Sequence, residues 1–153
     1  MKTPSVSLWK YSSVLLLLLG CSATVFAQCD KVVVLTSSKT EYLNAAGVAQ
    51  RSVDEQCVIK VDKTEVSIAP ADHDPMVAKV VSIDCTWKEA FKTGKTMVKA
   101  KFTAPDGQVS DTTITIEGKN GKVTCTMTQK ERPDRVIKVS ADKFEEQKAV
   151  TKE

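Results

Sequence analysis

The stretch Val80-Val81-Ser82-Ile83-Asp84-Cys85-Thr86-Trp87-Lys88-Glu89-Ala90-Phe91 alternates apolar and polar residues. Val81, Ile83, Cys85 and Trp87 share one phase, and Ser82, Asp84, Thr86 and Lys88 share the other. Side chains of a strand point to opposite faces in turn, so the first set is predicted to face a core and the second to face solvent. The chain has two tryptophans, and only Trp87 lies beyond the apolar N-terminal segment. It is the expected core anchor, because an indole brings more apolar surface than any other side chain.

The same alternation extends on both sides. Downstream, Val98, Ala100 and Phe102 are in phase, then Ile114 and Ile116, then Val123, Cys125 and Met127, then Ile137 and Val139. Upstream, Val32 to Leu43 reads as strand, as do Cys57, Ile59 and Val61 and the pair Val66 and Ile68. Turn chemistry separates these runs. Asn44-Ala45-Ala46-Gly47, Lys92-Thr93-Gly94-Lys95, Pro105-Asp106-Gly107, Gly118-Lys119-Asn120-Gly121 and Arg132-Pro133-Asp134-Arg135 are predicted turns. Pro70-Ala71-Asp72-His73-Asp74-Pro75 is a predicted loop, since its prolines remove two backbone donors.

No stretch holds a helical period. The fold class is therefore all-β: an antiparallel up-and-down meander of about eight strands over residues 28–142. Short local connections favour closure into a small barrel over an open or two-layer sandwich, which would need a long crossing connection. Residues 143–153 read as a charged, frayed tail whose start Phe144 pins to the domain.

Residues 1–27 have the pattern of an export signal. Lys2 and Lys10 precede the apolar run Val14–Leu19, and Val25 and Ala27 put small residues at −3 and −1 before Gln28. Leu18-Leu19-Gly20-Cys21 is a competing lipobox, which would make Cys21 a lipid anchor and the protein an outer-membrane lipoprotein. The apolar continuation after Cys21 favours cleavage after Ala27 and a secreted or periplasmic product. Removal of 1–27 takes away two lysines and no acid, leaving twenty basic against nineteen acidic side chains and a charge of +1. Such a chain has no global field to draw it to nucleic acid, and a monomer is expected.

Four cysteines remain: Cys29, Cys57, Cys85 and Cys125. An exported protein meets oxidising conditions, so an even number suggests disulfides, with three pairings open. Cys57, Cys85 and Cys125 share phase with core residues, so burial as free thiols is the competing reading. No Cys-x-x-Cys occurs.

An exported domain of this size, with one Trp-bearing strand, Pro-Asp-Gly and Asn-Gly hairpins and a final Val-Ile-Lys-Val-Ser-Ala-Asp-Lys-Phe strand, resembles small uncharacterised exported, lipocalin-like proteins of Bacteroidota. The resemblance implies a β-barrel and carries over no functional residue.

Sites of chemistry are sparse. His73, the single histidine, lies between Asp72 and Asp74, and the plainer reading of that loop is solvated polar sequence. A hydrolase triad or phosphate-binding loop has no motif here, and no catalytic residue, metal ligand or cofactor is assigned. Asp84, Glu89, Asp111 and Glu117 sit on polar phases. Lys88, Lys99 and Lys101 can share an outer face; the plainer reading is that they guard the sheet from edge association, and the sharper one is an anion-binding surface. Two function classes follow. One is an exported non-catalytic barrel that binds a small ligand or an envelope partner. The other is a structural envelope protein whose core is filled by its own side chains.

Overall fold

The computed structural model describes residues 29–147. The expected export signal, residues 1–27, and the lipidation candidate Cys21 lie outside the described residues. Nine strands follow in order: β1 (Val33–Asn44), β2 (Ala49–Val61), β3 (Glu65–Pro70), β4 (Met76–Glu89), β5 (Thr93–Thr103), β6 (Val109–Lys119), β7 (Lys122–Gln129), β8 (Arg132–Ser140) and β9 (Lys143–Glu146). Each of β1 to β7 pairs antiparallel with the next, β8 returns to pair with β1, and β9 pairs with β1. The ring is thus a closed eight-stranded up-and-down barrel with one extra strand, as the alternation predicts. Closure removes the exposed sheet edges that an open meander would present.

The inward phases read from the sequence meet inside. Leu35, Ile59, Val66, Val98, Ile114, Ile116, Cys125 and Val139 are essentially without solvent contact. Alternation fails where the chain carries bulges. In β4, Val80 pairs with Ala100 but Ser82 pairs with Lys99, so Val81 is an extra residue. It flips the phase: Ala78 and Val80 face inward before it, and Ile83, Cys85 and Trp87 after it. Val81, expected in the core, is 60% exposed on the outer wall. A bulge bends the strand and strengthens its twist, which a small barrel needs. A second bulge, between β1 and β2, is satisfied by Ser37, whose Oγ accepts from the Lys39 N–H at 3.1 Å and donates to the Lys39 carbonyl at 2.9 Å.

Three expected boundaries move. The β4–β5 reversal is Ala90 to Lys92, with Phe91 at φ 60°, and Gly94 belongs to β5. The β7–β8 reversal is Lys130–Glu131, and Pro133 lies in β8 beyond the regular ladder, where its missing N–H costs no pairing. Finally, Lys143–Glu146, expected to fray, forms β9. It continues the β8 register along β1, with Leu35 opposite Phe144. The apolar payment for ordering this charged segment comes from Phe144, whose ring lies 5.7 Å from Trp87 and 5.3 Å from Phe91.

The meander puts alternate connections at opposite ends. One end is stopped by Trp87, Phe91 and Phe144. Trp87 is 2% exposed, and its Nε1–H donates to Thr96 Oγ1 at 2.7 Å. The indole lies against Gly94 and Gly118, which are register partners on β5 and β6. At the other end lie the β1–β2, β3–β4, β5–β6 and β7–β8 connections.

A candidate ligand cavity at the open end of the barrel

A cavity of about 590 Å³ occupies this second end. Its deeper wall is made by inward residues of five strands: Ile68, Phe102, Thr112, Met127, Ile137 and Val139. Its mouth carries polar groups: Tyr42, Glu55, Asp74, Gln129 and Arg135. The Pro70–Pro75 loop thus contributes to the mouth, through Pro70, Asp74 and Pro75. Its Asp72, His73 and Asp74 side chains are exposed, and no cluster of three or more His, Cys, Asp or Glu suited to a metal ion exists among the described residues.

Thr112 is the polar oddity of the wall. It is 5% exposed, and its Oγ1 has no hydrogen-bond partner. A buried hydroxyl without a partner costs about 1–3 kcal/mol, so a bound group that reaches it recovers that free energy. Alternation alone marks Thr112 as inward, on the phase of Ile114 and Ile116, but a threonine among inward residues did not stand out in the sequence as a signal.

Two arginines stand over the Tyr42 ring: Arg135 lines the mouth with it, and Arg51, not itself a lining residue, reaches the same ring. Arg51, from β2, stands over the phenol ring at 5.2 Å, and Arg135, from β8, at 5.3 Å. Both flank the ring from strands on either side of β1, where Tyr42 pairs with Arg51 and Asn44 with Arg135. Neither could be picked out by motif, because they are eighty-four residues apart in sequence and meet only through barrel closure.

The four cysteines divide. Cys29 and Cys85 form a disulfide with Cα atoms 5.8 Å apart, which fastens the start of the described chain to β4. Cys57 and Cys125, also disulfide candidates, are free and buried. They sit on β2 and β7 with β1 and β8 between them, roughly 14 Å apart along the wall at ~4.8 Å per strand. A disulfide needs Cα atoms within ~7 Å. Burial pushes the Cys125 thiol up to about 12, with a smaller contribution from Cys57. Burial also raises Cys57, helped by the Glu55 charge. Cys57 lines the cavity, but as an un-ionised thiol it serves there as apolar wall.

The lysines do not assemble into one stripe. Lys99 and Lys101 are exposed near the open end, and Lys101 is engaged by Asp111 at 2.9 Å. Lys88 lies past the Trp87–Gly94 pair, five residues along β5 from Lys99, or roughly 17 Å at ~3.4 Å per residue. Lys99 and Lys101 instead border a groove of about 580 Å³ on the outer wall, closed on one side by Lys130 of the β7–β8 connection and Pro133 of β8.

Compared with known proteins, the chain matches no family model, and no curated protein matches it.

Proposed function

We propose that this is an exported, non-catalytic barrel of lipocalin-like kind that holds one small, mainly apolar ligand in the open end. The observation that carries the reading is the cavity of about 590 Å³, walled by apolar side chains below a polar mouth. Small-molecule sites have volumes of ~300–1,000 Å³, apolar walls and a few polar groups that orient the ligand. Here the polar groups gather at the mouth and apolar groups below, so a ligand enters with its apolar part first. The alternative, a structural protein filled by its own side chains, describes the opposite end, where Phe144 packs against the rings of Trp87 and Phe91.

Titration with the neutral fluorophore N-phenylnaphthylamine tests this. Saturable fluorescence at one site per chain is expected. Ile137→Trp, which fills the cavity from its wall, should abolish it while the β-sheet circular dichroism stays unchanged. Absence of saturable binding to the wild-type protein would leave the structural reading standing.

A further inference from the structure

The mouth indicates the class of ligand. Resting on the cavity reading above, we infer that the occupant is an anionic single-chain amphiphile whose headgroup is held at Arg51, Arg135 and Tyr42. The ion pairs among the described residues all use lysine, so neither guanidinium has a carboxylate of the described residues within 4.0 Å. Both are exposed, yet both are gathered over one aromatic ring at 5.2 and 5.3 Å. Stacking of this kind restrains a guanidinium while leaving its N–H fork free. Two such forks beside a phenol hydroxyl suit a carboxylate, sulfate or phosphate, each of which accepts several charge-assisted hydrogen bonds.

The remaining charges fix where the anion sits. Glu55 lies on β2, farther into the barrel than Arg51, and Asp74 belongs to the β3–β4 connection. Both repel an anion placed deeper or toward that connection. The head therefore stays at Tyr42 on the β1 side, and the chain runs inward past Ile137 and Val139 toward Phe102 and Met127. Those walls carry no charge and accept any unbranched hydrocarbon of suitable length, so the headgroup supplies the selectivity.

Isothermal titration of the purified protein with dodecanoate, dodecanol and dodecylammonium at neutral pH and below micellar concentration separates the outcomes. The three share one chain and differ in charge. Dodecanoate is expected to bind about tenfold more tightly than dodecanol, as charge-assisted hydrogen bonds would give. The double variant Arg51→Gln, Arg135→Gln should erase that preference while dodecanol binding stays the same. Equal affinity for all three would overturn the headgroup assignment and leave the cavity reading intact. Tighter binding of dodecylammonium would overturn it in favour of Glu55 and Asp74. If none of the three binds, and N-phenylnaphthylamine does not either, the cavity reading fails with it. A preference for dodecanoate that the double variant retains would place the anion elsewhere and also overturn the assignment.

Discussion

Trp87 shows how one side chain constrains its neighbours. The indole covers two facing glycines, and a Cβ on Gly118 would stand 2.7 Å from Trp87 Cζ3 and 2.8 Å from the Lys92 carbonyl oxygen. The ring cannot retreat, because Nε1 is tied to Thr96 and Phe144 packs on it. Gly118→Ala is therefore expected to destabilise the protein by about 1–3 kcal/mol, the usual cost of overpacking, read from a shift in the urea midpoint at unchanged slope. A wild-type midpoint in the variant would mean that the slot has slack. Gly121, at φ +79° with open space around its Cβ position, is a different kind of glycine, and its role is the turn itself. The free cysteines allow a second residue-scale prediction. The nucleophile is the thiolate; Cys125, held near pKa 12, is ionised at pH 8 to roughly one part in ten thousand, and burial raises Cys57 in the same direction. Native protein treated with iodoacetamide at that pH should gain no adduct at Cys57 or Cys125 by mass spectrometry, whereas urea-unfolded protein should gain two. Rapid native labelling of Cys57 would show that the cavity wall opens.

Among the elements, the β2–β3 connection depends on one carboxylate. Asp62 Oδ1 accepts from the Thr64 N–H at 2.7 Å, the Thr64 hydroxyl at 2.8 Å and the Glu65 N–H at 2.8 Å. Burial alone would raise its pKa, but these hydrogen bonds, with Lys60 nearby, outweigh it and hold the carboxyl below its ordinary value. A depressed folded-state pKa stabilises fully above the unfolded value of ~3.9 and is lost as pH falls through the lower folded one. Asp62→Asn should therefore flatten part of the loss of stability between about pH 5 and pH 2, and Asp62→Ala should cost about 1 kcal/mol at neutral pH, as loss of a capping side chain does. An unaltered acid profile in Asp62→Asn would remove this carboxylate from the account. At the other end of the chain, Phe144→Ala should release β9 and cost about 2 kcal/mol, since a partly buried ring loses less than a fully buried one. Amide exchange of residues 143–146 should then become unprotected. The strands themselves were legible because period-two alternation reports directly on a wall with one wet face and one dry face. The bulge at Val81 was not, because an extra residue in a run of valines leaves no mark until the register with Lys99 and Ala100 is known. The β9 pairing was hidden for a related reason: its residues are charged, and what orders them is one phenylalanine reaching an aromatic pair fifty-odd residues upstream.

At the scale of the whole molecule, the barrel is two halves with different work. One half is solid, closed by aromatic rings and by the Cys29–Cys85 link, and the other is hollow. The sequence could read that a barrel forms, but the paired arginines of the mouth and the division into solid and hollow halves arise from closure, which brings β8 beside β1. The disulfide tests whether the halves are energetically separate. Its two cysteines are 56 residues apart, and constraining a loop of that length in the unfolded chain is worth at most about 4 kcal/mol. Reduction, or the double variant Cys29→Ala, Cys85→Ser, should lower the melting temperature by roughly 10–15 °C for a domain of this size. Cys85 is in contact with Thr96 at the closed end, whereas the cavity is bounded by Thr40, Thr112 and the strand ends beyond them. The affinity for N-phenylnaphthylamine, measured at a temperature where the reduced protein is still folded, should therefore match that of the oxidised protein. A drop in affinity that parallels the loss of stability would show instead that the solid half holds the hollow one open.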